Sequence, residues 1–266
     1  MTIIVGIECS DSIVLASDSQ TTDAVGTSKR CDSFKIASAN FKQSINSDRF
    51  GEQTILIAQS GDAVLTSRWI ELLTEIAKER TIDDRRSPAQ CAEDALRKLK
   101  EDIIQPLLPA SAEERKKIFD SYSPSLMLAF FFDGQSNLFT IDFSLGIANR
   151  RHKYALMGCG STVGEFILSQ FDNTSRMQTA MALTVAVYVV EEVKKVDAFC
   201  GGTTRLAYIA PPVVTVIGEI PVQEIVAELT KVRKGIQNDL SQKMLNTIFP
   251  ISEKWRGLLP GNPLLP

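Results

Sequence analysis

A threonine directly after the initiator methionine is the first residue in this chain that could do chemistry. Aminopeptidases remove an initiator methionine when the next side chain is small, and removal from this chain would expose Thr2 with a free α-amine. An α-amine has a pKa of about 7.7–8.0, so it can act as a base near neutral pH without a histidine. A threonine activated by its own amine is a known kind of nucleophile. The alternative is that Thr2 merely starts an edge strand.

Other catalytic and cofactor-binding patterns are weak in this sequence. His152 is the only histidine and lies in the basic segment R-R-H-K, without a G-x-S-x-G motif, so we interpret it as part of a solvated basic turn. The segment from Gly158 to Gly164 places its last glycine one residue too late for G-x-G-x-x-G. Metal-ligand spacing is absent. The sequence therefore predicts no cofactor and no metal.

Composition and charge exclude several classes of partner. The 266 residues contain 29 Lys and Arg against 32 Asp and Glu, a net charge of -3, so no basic excess indicates nucleic acid. Five cysteines with no C-x-x-C pair argue against a disulfide framework or a zinc site and favour a reducing cytosol. The N-terminus lacks a basic leader segment, and no apolar run approaches about 18 residues, so we expect a cytoplasmic protein without a membrane partner.

The hydrophobic periodicity changes between about 2 and 3.6 along the chain, which predicts blocks of strands alternating with pairs of helices. The predicted strands span residues 2–8, 12–17, 33–39, 53–58, 125–132, 137–143, 154–157, 204–210 and 213–217. The predicted helices span about 65–77, 88–104, 162–170 and 176–195, with a short charged helix at 113–120. Asp133-Gly134 predicts a hairpin turn, and Ser87 before Pro88 predicts a helix N-cap.

This order predicts an α+β fold, a four-layer αββα sandwich of two antiparallel sheets between helical layers. We assign residues 1–217 to this domain. Residues 218–266 are a C-terminal extension, with an amphipathic helix at 222–244 and a Pro/Gly-rich tail at 257–266.

Five landmarks in this order resemble the proteasome β-subunit family of N-terminal nucleophile hydrolases, in its bacterial form. They cover residues 2–217 and together are specific, although each alone is weak. The landmarks are T-I-I-V-G-I at 2–7 with S-I-V-L-A-S-D at 12–18, F-K-I at 34–36, A-Q-S-G at 58–61, M-G-C-G at 157–160 and D-A-F-C-G-G at 197–202.

The resemblance implies a role for each matching residue. Thr2 is the nucleophile, Lys35 places a positive charge beside it, and Asp18 pairs with Lys35. Gly61 offers its backbone N–H to the oxyanion. The residues that would surround and orient the Thr2 amine are Cys159, Asp197 and Cys200.

The same resemblance implies a substrate-binding set and shows some departures. The implied substrate-binding residues are Gln20, Thr22 and Gln59. Gln20 replaces a common arginine, and Cys159 and Cys200 stand where the family usually has serines, which are better hydrogen-bond partners than thiols. Lys35 comes about one residue late, and the extension at 218–266 has no counterpart in the minimal family core.

The function implied is that of a threonine endopeptidase subunit. It would hydrolyse unfolded protein or peptides inside a homo-oligomeric ring, after loss of Met1 alone and with an ATPase unfoldase as a candidate partner. Two alternatives stay open. One is a structural ring subunit with little or no hydrolysis, and the other is an amidase or peptide ligase acting on a small substrate.

Overall fold

The structure, a computed structural model, describes residues 2–22, 29–30, 35–46, 49–104, 111, 124–171, 177–211, 213–231 and 234. The chain divides into two compact units, Met1–Val222 and Gln223–Pro266. In the second unit residues 223–231 are helical. The predicted helix at 222–244 lies partly, and the tail at 257–266 wholly, outside the described residues, and the division at residue 217 stays a prediction.

The first unit contains thirteen described strands and four described α-helices, and its last four residues, 219–222, are helical as well. The strands are β1 (Ile4–Glu8), β2 (Ile13–Ser17), β3 (Thr21–Thr22), β4 (Lys29–Arg30), β5 (Ile36–Asn46), β6 (Arg49–Ser60), β7 (Thr81–Ile82), β8 (Ser125–Phe132), β9 (Gln135–Asp142), β10 (Ala148–Arg151), β11 (Tyr154–Met157), β12 (Arg205–Ala210) and β13 (Val213–Ile217). The helices are α1 (Ala63–Glu79), α2 (Ser87–Leu99), α3 (Ser161–Leu168) and α4 (Thr179–Val196), and a π-helical turn, Lys100–Ile104, follows α2.

The strands form two large sheets and one small ribbon. The five-stranded sheet has the order β11-β1-β2-β12-β13, the six-stranded sheet has the order β10-β9-β8-β6-β5-β7, and β3 pairs with β4. Strand β1 therefore lies between two neighbours, so the alternative that Thr2 starts an edge strand is wrong. All five residues of β1 and of β2 are buried, because both faces of their sheet are covered.

The six-stranded sheet is covered on both faces, because successive residues of its strands lie alternately in two different hydrophobic cores. Side chains of successive strand residues point to opposite faces, so Leu56 and Ile57 belong to different cores. Leu56 and Met127 pack with Ile4 and Leu15 of the other sheet in a core between the sheets. Ile57 and residues of its face pack instead against α1 and α2. Helices α3 and α4 contact the five-stranded sheet. The predicted four-layer αββα sandwich is confirmed.

Several local predictions are confirmed and others need correction. The Asp133-Gly134 turn is confirmed, with both residues at positive φ. Strand β10 was missed because its last three residues are exposed and polar, two of them arginines, and the segment interpreted as a basic turn supplies part of it. Ser87 is the first residue of α2 rather than its N-cap, since its amide donates to Asp84 Oδ1.

Three further differences concern the ends and pairing of elements. Lys35 precedes β5 instead of lying inside a strand, and β7 pairs parallel to β5, although the predicted sheets were wholly antiparallel. The α-helical part of the second predicted helix ends at Leu99. The short helix predicted at 113–120 lies outside the described residues. Among the described residues, no helix is long and apolar enough to cross a membrane.

Candidate active site

The Thr2 hydroxyl lies in a buried polar cluster with Asp18 and Lys35. Thr2 Oγ1 donates to Asp18 Oδ1 at 2.5 Å, and Lys35 Nζ donates to both Thr2 Oγ1 and Asp18 Oδ1, the latter at 2.7 Å. The Thr2 residue is 2% exposed, and the Lys35 and Asp18 side chains are 6% and 0% exposed. The fold thus brings together a hydroxyl, a carboxylate and an amine from three separate segments.

The backbone holds the Asp18 carboxylate in place from two sides. Asp18 directly follows β2, and its Oδ1 accepts the Ile3 N–H at 3.1 Å while its Oδ2 accepts the Gly201 N–H at 3.0 Å. Hydrogen bonds to a charged group are shorter and stronger than neutral ones. A carboxylate with both oxygens bonded cannot rotate freely, so its position relative to Thr2 is fixed.

Lys35 is held at both its backbone and its side chain. Its carbonyl oxygen accepts the Gln59 N–H at 2.8 Å, and its Nζ donates to the Gln20 carbonyl oxygen at 2.5 Å. Burial lowers the pKa of the Lys35 amine, and the neighbouring Asp18 carboxylate opposes that shift. The amine therefore lies buried against the Thr2 hydroxyl, and the Asp18 carboxylate supports its positive charge there.

A loop with two glycines after β11 contacts the Thr2 backbone closely. Gly158 has φ +93, and a Cβ built there would lie 2.1 Å from the Thr2 carbonyl oxygen. The Gly160 N–H donates to the same oxygen at 3.3 Å. The close approach and the positive φ both require glycine at 158, which explains this position of the M-G-C-G landmark.

Gly158→Ala is expected to destabilise the protein by about 3 kcal/mol or more, because left-handed strain and an overlap with backbone act together. Gly134→Ala is the matched control: its φ is +69, and nothing lies within 4 Å of the added Cβ. It should cost about 1 kcal/mol, the penalty for left-handed backbone alone. Denaturant unfolding of both variants measures the difference, and equal losses would contradict the described contact with Thr2.

Cys159, Asp197 and Cys200 meet beside Thr2. Cys159 Sγ lies 3.5 Å from the Thr2 carbonyl oxygen and 3.7 Å from Cys200 Sγ. The two sulfurs and an Asp197 carboxylate oxygen lie within 4.8 Å of one another. Asp197 caps the C-terminal end of α4. The three residues could hold a metal ion as well as orient an amine.

The two thiols influence each other's ionisation in opposite directions. Their mutual hydrogen bond lowers the pKa of the Cys159 thiol. The same hydrogen bond, reinforced by burial, raises the pKa of the Cys200 thiol. Cys159 is exposed and Cys200 is buried, so the more acidic thiol is the accessible one.

Of the remaining predicted site residues, Gln20 and Gln59 contact Lys35 through their backbones. Gly61 connects β6 to α1 with φ +95, and the next residue, Asp62, caps α1. Gln59 is partly buried, and its backbone binds Lys35 as described. Gln20 Nε2 donates to the Ala198 carbonyl oxygen at 3.4 Å. Thr22 belongs to β3, and its side chain lies outside the described residues.

Sequence reasoning missed three backbone contributions to this site. They are the Gln20 carbonyl oxygen on Lys35 and the Ile3 and Gly201 amides on Asp18. The D-A-F-C-G-G landmark contains Gly201, so the motif located the segment without showing this function. Backbone N–H and carbonyl groups cannot be recognised from the sequence, because every residue carries both except proline, which lacks the N–H.

Comparisons with known proteins agree with this fold. Anbu in a helical assembly of the Anbu complex from Pseudomonas aeruginosa matches with a TM-score of 0.69 and 16% identity, covering 98% of each chain. Anbu (ancestral beta-subunit) from Yersinia bercovieri matches at 0.65 and 18%, covering 99% of this chain and 100% of that one. An Anbu (Gly-1) mutant from Hyphomicrobium sp. strain MC1 matches at 0.66 and 15%, covering 89% and 97%. No protein-family model and no curated protein matches.

The comparisons correct the family expected from the sequence landmarks. The solved structures described above are Anbu proteins, whose fold is proteasome-like but whose family is distinct from the proteasome β subunits. Membership of the proteasome β-subunit family was therefore the wrong prediction. At 14–18% identity the likeness shows the fold alone. The landmarks led to the wrong family because they mark the loops and cluster residues that a proteasome-like fold places around Thr2.

Proposed function

We propose that this protein is a hydrolase of peptide bonds whose nucleophile is the Thr2 hydroxyl, acting after removal of Met1. The observation that carries the proposal is the buried contact of Thr2 Oγ1 with both the Asp18 carboxylate and the Lys35 amine. A threonine that only stabilised the fold would not need a buried charged pair beside its hydroxyl, because burying charges is costly.

The proposed reaction begins when the Thr2 hydroxyl attacks the scissile carbonyl. The free α-amine of Thr2 accepts the hydroxyl proton, and the Lys35 charge keeps that amine neutral and favours the developing alkoxide. The attack gives an ester between Thr2 and the substrate acyl group as the amine half of the substrate leaves with a proton. Water then cleaves the ester and restores the hydroxyl.

The backbone N–H of Gly61 is proposed to bind the oxyanion. Gly61 ends the segment that starts with Gln59, and Gln59 is hydrogen-bonded to Lys35, so this segment and the amine are held together. A preorganised backbone donor at such a position is typically worth 10²–10³ in rate. The positive φ of Gly61 favours glycine there, and a glycine places no Cβ of its own beside the amide.

The proposed nucleophile also bears on how the protein assembles and on which substrates reach it. The matching Pseudomonas aeruginosa structure is a helical assembly of the Anbu complex, and we propose that this chain also forms a homo-oligomer. An oligomer that encloses Thr2 would keep folded proteins from the nucleophile, so unfolded protein and peptides are the proposed substrates. An ATPase unfoldase that delivers them stays a prediction.

Hydrolysis of an unfolded protein tests this function. Purified protein lacking Met1 should release peptides from reduced, carboxymethylated casein, and Thr2→Ala should reduce the rate to background because no other hydroxyl occupies its position. Thr54→Ala is the matched control, since that threonine lies on β6 and bonds Asn40 instead. Activity that persists in Thr2→Ala would contradict the assignment of the nucleophile.

A structural subunit without hydrolysis is the second candidate. It is favoured by the thiol pair Cys159 and Cys200, because thiols are poor hydrogen-bond partners for an amine. A protein that assembles normally but neither cleaves casein nor loses Met1 would support this candidate over the first. A small amide substrate, the third possibility, would be indicated by hydrolysis of a short peptide amide without cleavage of casein.

A further inference from the structure

We propose that Cys159, Asp197 and Cys200 form a binding site for Zn²⁺. Their two sulfurs and one carboxylate oxygen lie within 4.8 Å of one another. Two thiolates on a tetrahedral zinc, each at about 2.3 Å, are about 3.8 Å apart. The observed Sγ–Sγ distance is 3.7 Å, so both sulfurs already stand at the separation that zinc requires.

Short backbone contacts hold these ligands in position. The Phe199 N–H donates to Asp197 Oδ1 at 2.9 Å, which restrains the carboxylate. The Cys200 N–H donates to the Asp197 carbonyl oxygen at 3.1 Å and closes the turn between these two ligands. Hydrogen bonds behind the ligands orient them and raise metal affinity in known sites. The backbone therefore holds the ligands in place before an ion binds.

One side of the cluster is open to solvent. Cys159 is exposed, Asp197 is half-buried and Cys200 is buried, so an ion can enter past Cys159 and rest against Cys200. Three protein ligands with water in the fourth position is a common zinc arrangement. The sequence predicted no metal because the ligands come from a loop after β11 and a turn after α4, far apart in the chain.

Charge and proton balance are consistent with a divalent cation. Binding displaces one proton from each thiol, so two thiolates and one carboxylate supply three negative charges to an ion of charge +2. The Sγ–Sγ hydrogen bond is lost, and two metal–sulfur bonds replace it. No oxidant or reductant is required, because the sulfurs keep their oxidation state.

The position next to Thr2 gives the site a consequence that rests on the proposed function. Cys159 Sγ lies 3.5 Å from the Thr2 carbonyl oxygen, and the loop that carries it grips Thr2 through Gly158 and Gly160. An ion bound to Cys159 would fix this loop and occupy the three side chains that are expected to orient the Thr2 amine, although the loss of two thiol protons leaves the net charge of the cluster unchanged. Zinc should therefore inhibit hydrolysis reversibly, and a chelator should restore it.

Metal binding is tested without any activity measurement. The reduced full-length protein, in its Thr2→Ala form, is titrated with Co²⁺ and then with competing Zn²⁺, while the thiolate-to-cobalt absorption band is recorded. We expect one equivalent to bind with that band. Cys159→Ser, Cys200→Ser and Asp197→Asn should weaken binding by about a hundredfold or more, since even residues behind the ligands change affinity by 10–100-fold.

Cys9→Ser is the matched control, because Cys9 is also a buried free cysteine but bonds the Ile7 carbonyl oxygen. It should bind Co²⁺ like the parent, and a melting curve of each variant shows that it is folded. Absence of the thiolate band, or equal affinity in folded Cys159→Ser and the parent, would overturn the site. Because the Thr2→Ala protein is inactive by design, this outcome is separate from failure of the proposed hydrolase.

Discussion

Lys35→Met is expected to lower the rate of peptide hydrolysis by about 10³-fold, the range measured when a catalytic proton-transfer or charge-stabilising group is removed. Methionine keeps the length and packing of the lysine stem but has no charge and donates no hydrogen bond to Thr2 Oγ1. The Thr2 hydroxyl would then lack the cation that favours its alkoxide. Initial rates on an unfolded protein, at equal concentrations of folded enzyme, measure the loss.

Lys42→Met is the control for this prediction. Lys42 lies on β5, the strand that follows Lys35, but its side chain is exposed. Its substitution removes one positive charge from the neighbouring strand β5 without a contact to Thr2, so activity should change less than twofold. Equal losses in the two variants, or full activity in Lys35→Met, would show that Lys35 does not act on the nucleophile.

Asp18→Asn is expected to destabilise the protein by about 3–5 kcal/mol, the cost of breaking a buried ion pair by removing one partner. The 0% exposed carboxylate is the counter-charge of Lys35 and also accepts the Ile3 and Gly201 amides. An asparagine supplies only one acceptor oxygen and leaves the lysine charge uncompensated. Thermal unfolding should show a drop of about 10 °C, at roughly 2–4 °C per kcal/mol for chains of this size.

Two variants show whether charge burial causes that loss. Glu71→Gln removes one partner of the exposed Arg68–Glu71 pair and should cost less than about 1 kcal/mol. The double variant Asp18→Asn with Lys35→Met removes both charges and should be more stable than Asp18→Asn alone. If the double variant is as unstable as the sum of its parts, the two side chains are not coupled.

The four-layer fold could be predicted from the sequence because the patterns that indicate its strands and helices are local and recur along the chain. The continuous apolar runs of β6 and β8 predict strands that are buried on both faces, and their successive residues lie alternately in the core between the sheets and in the core under α1 and α2. The sequence did not predict β10, whose exposed polar residues form no such run. It also did not predict the pairing of β7, because two-residue strands carry no periodicity.

The side chains of the candidate site could be predicted from the sequence, whereas the contacts that depend on loop geometry could not. Thr2 was selected from its position after Met1, Asp18 and Lys35 were selected from the resemblance of their segments to a known family, and the fold brings the three into contact. The backbone donors on Asp18, and the 3.7 Å approach of Cys159 and Cys200, depend on loop geometry that residue types do not specify. The family was wrong for the same reason, since landmarks around Thr2 follow a fold that distinct families have.

The most direct measurement is the intact mass of the purified protein before and after incubation with a peptide epoxyketone. That reagent needs both the hydroxyl and the free amine of an N-terminal threonine. We expect a mass lacking Met1 and then a gain of one adduct, which disappears in Thr2→Ala but persists in Thr54→Ala. A mass that retains Met1, with no adduct after incubation, would contradict Thr2 as the nucleophile.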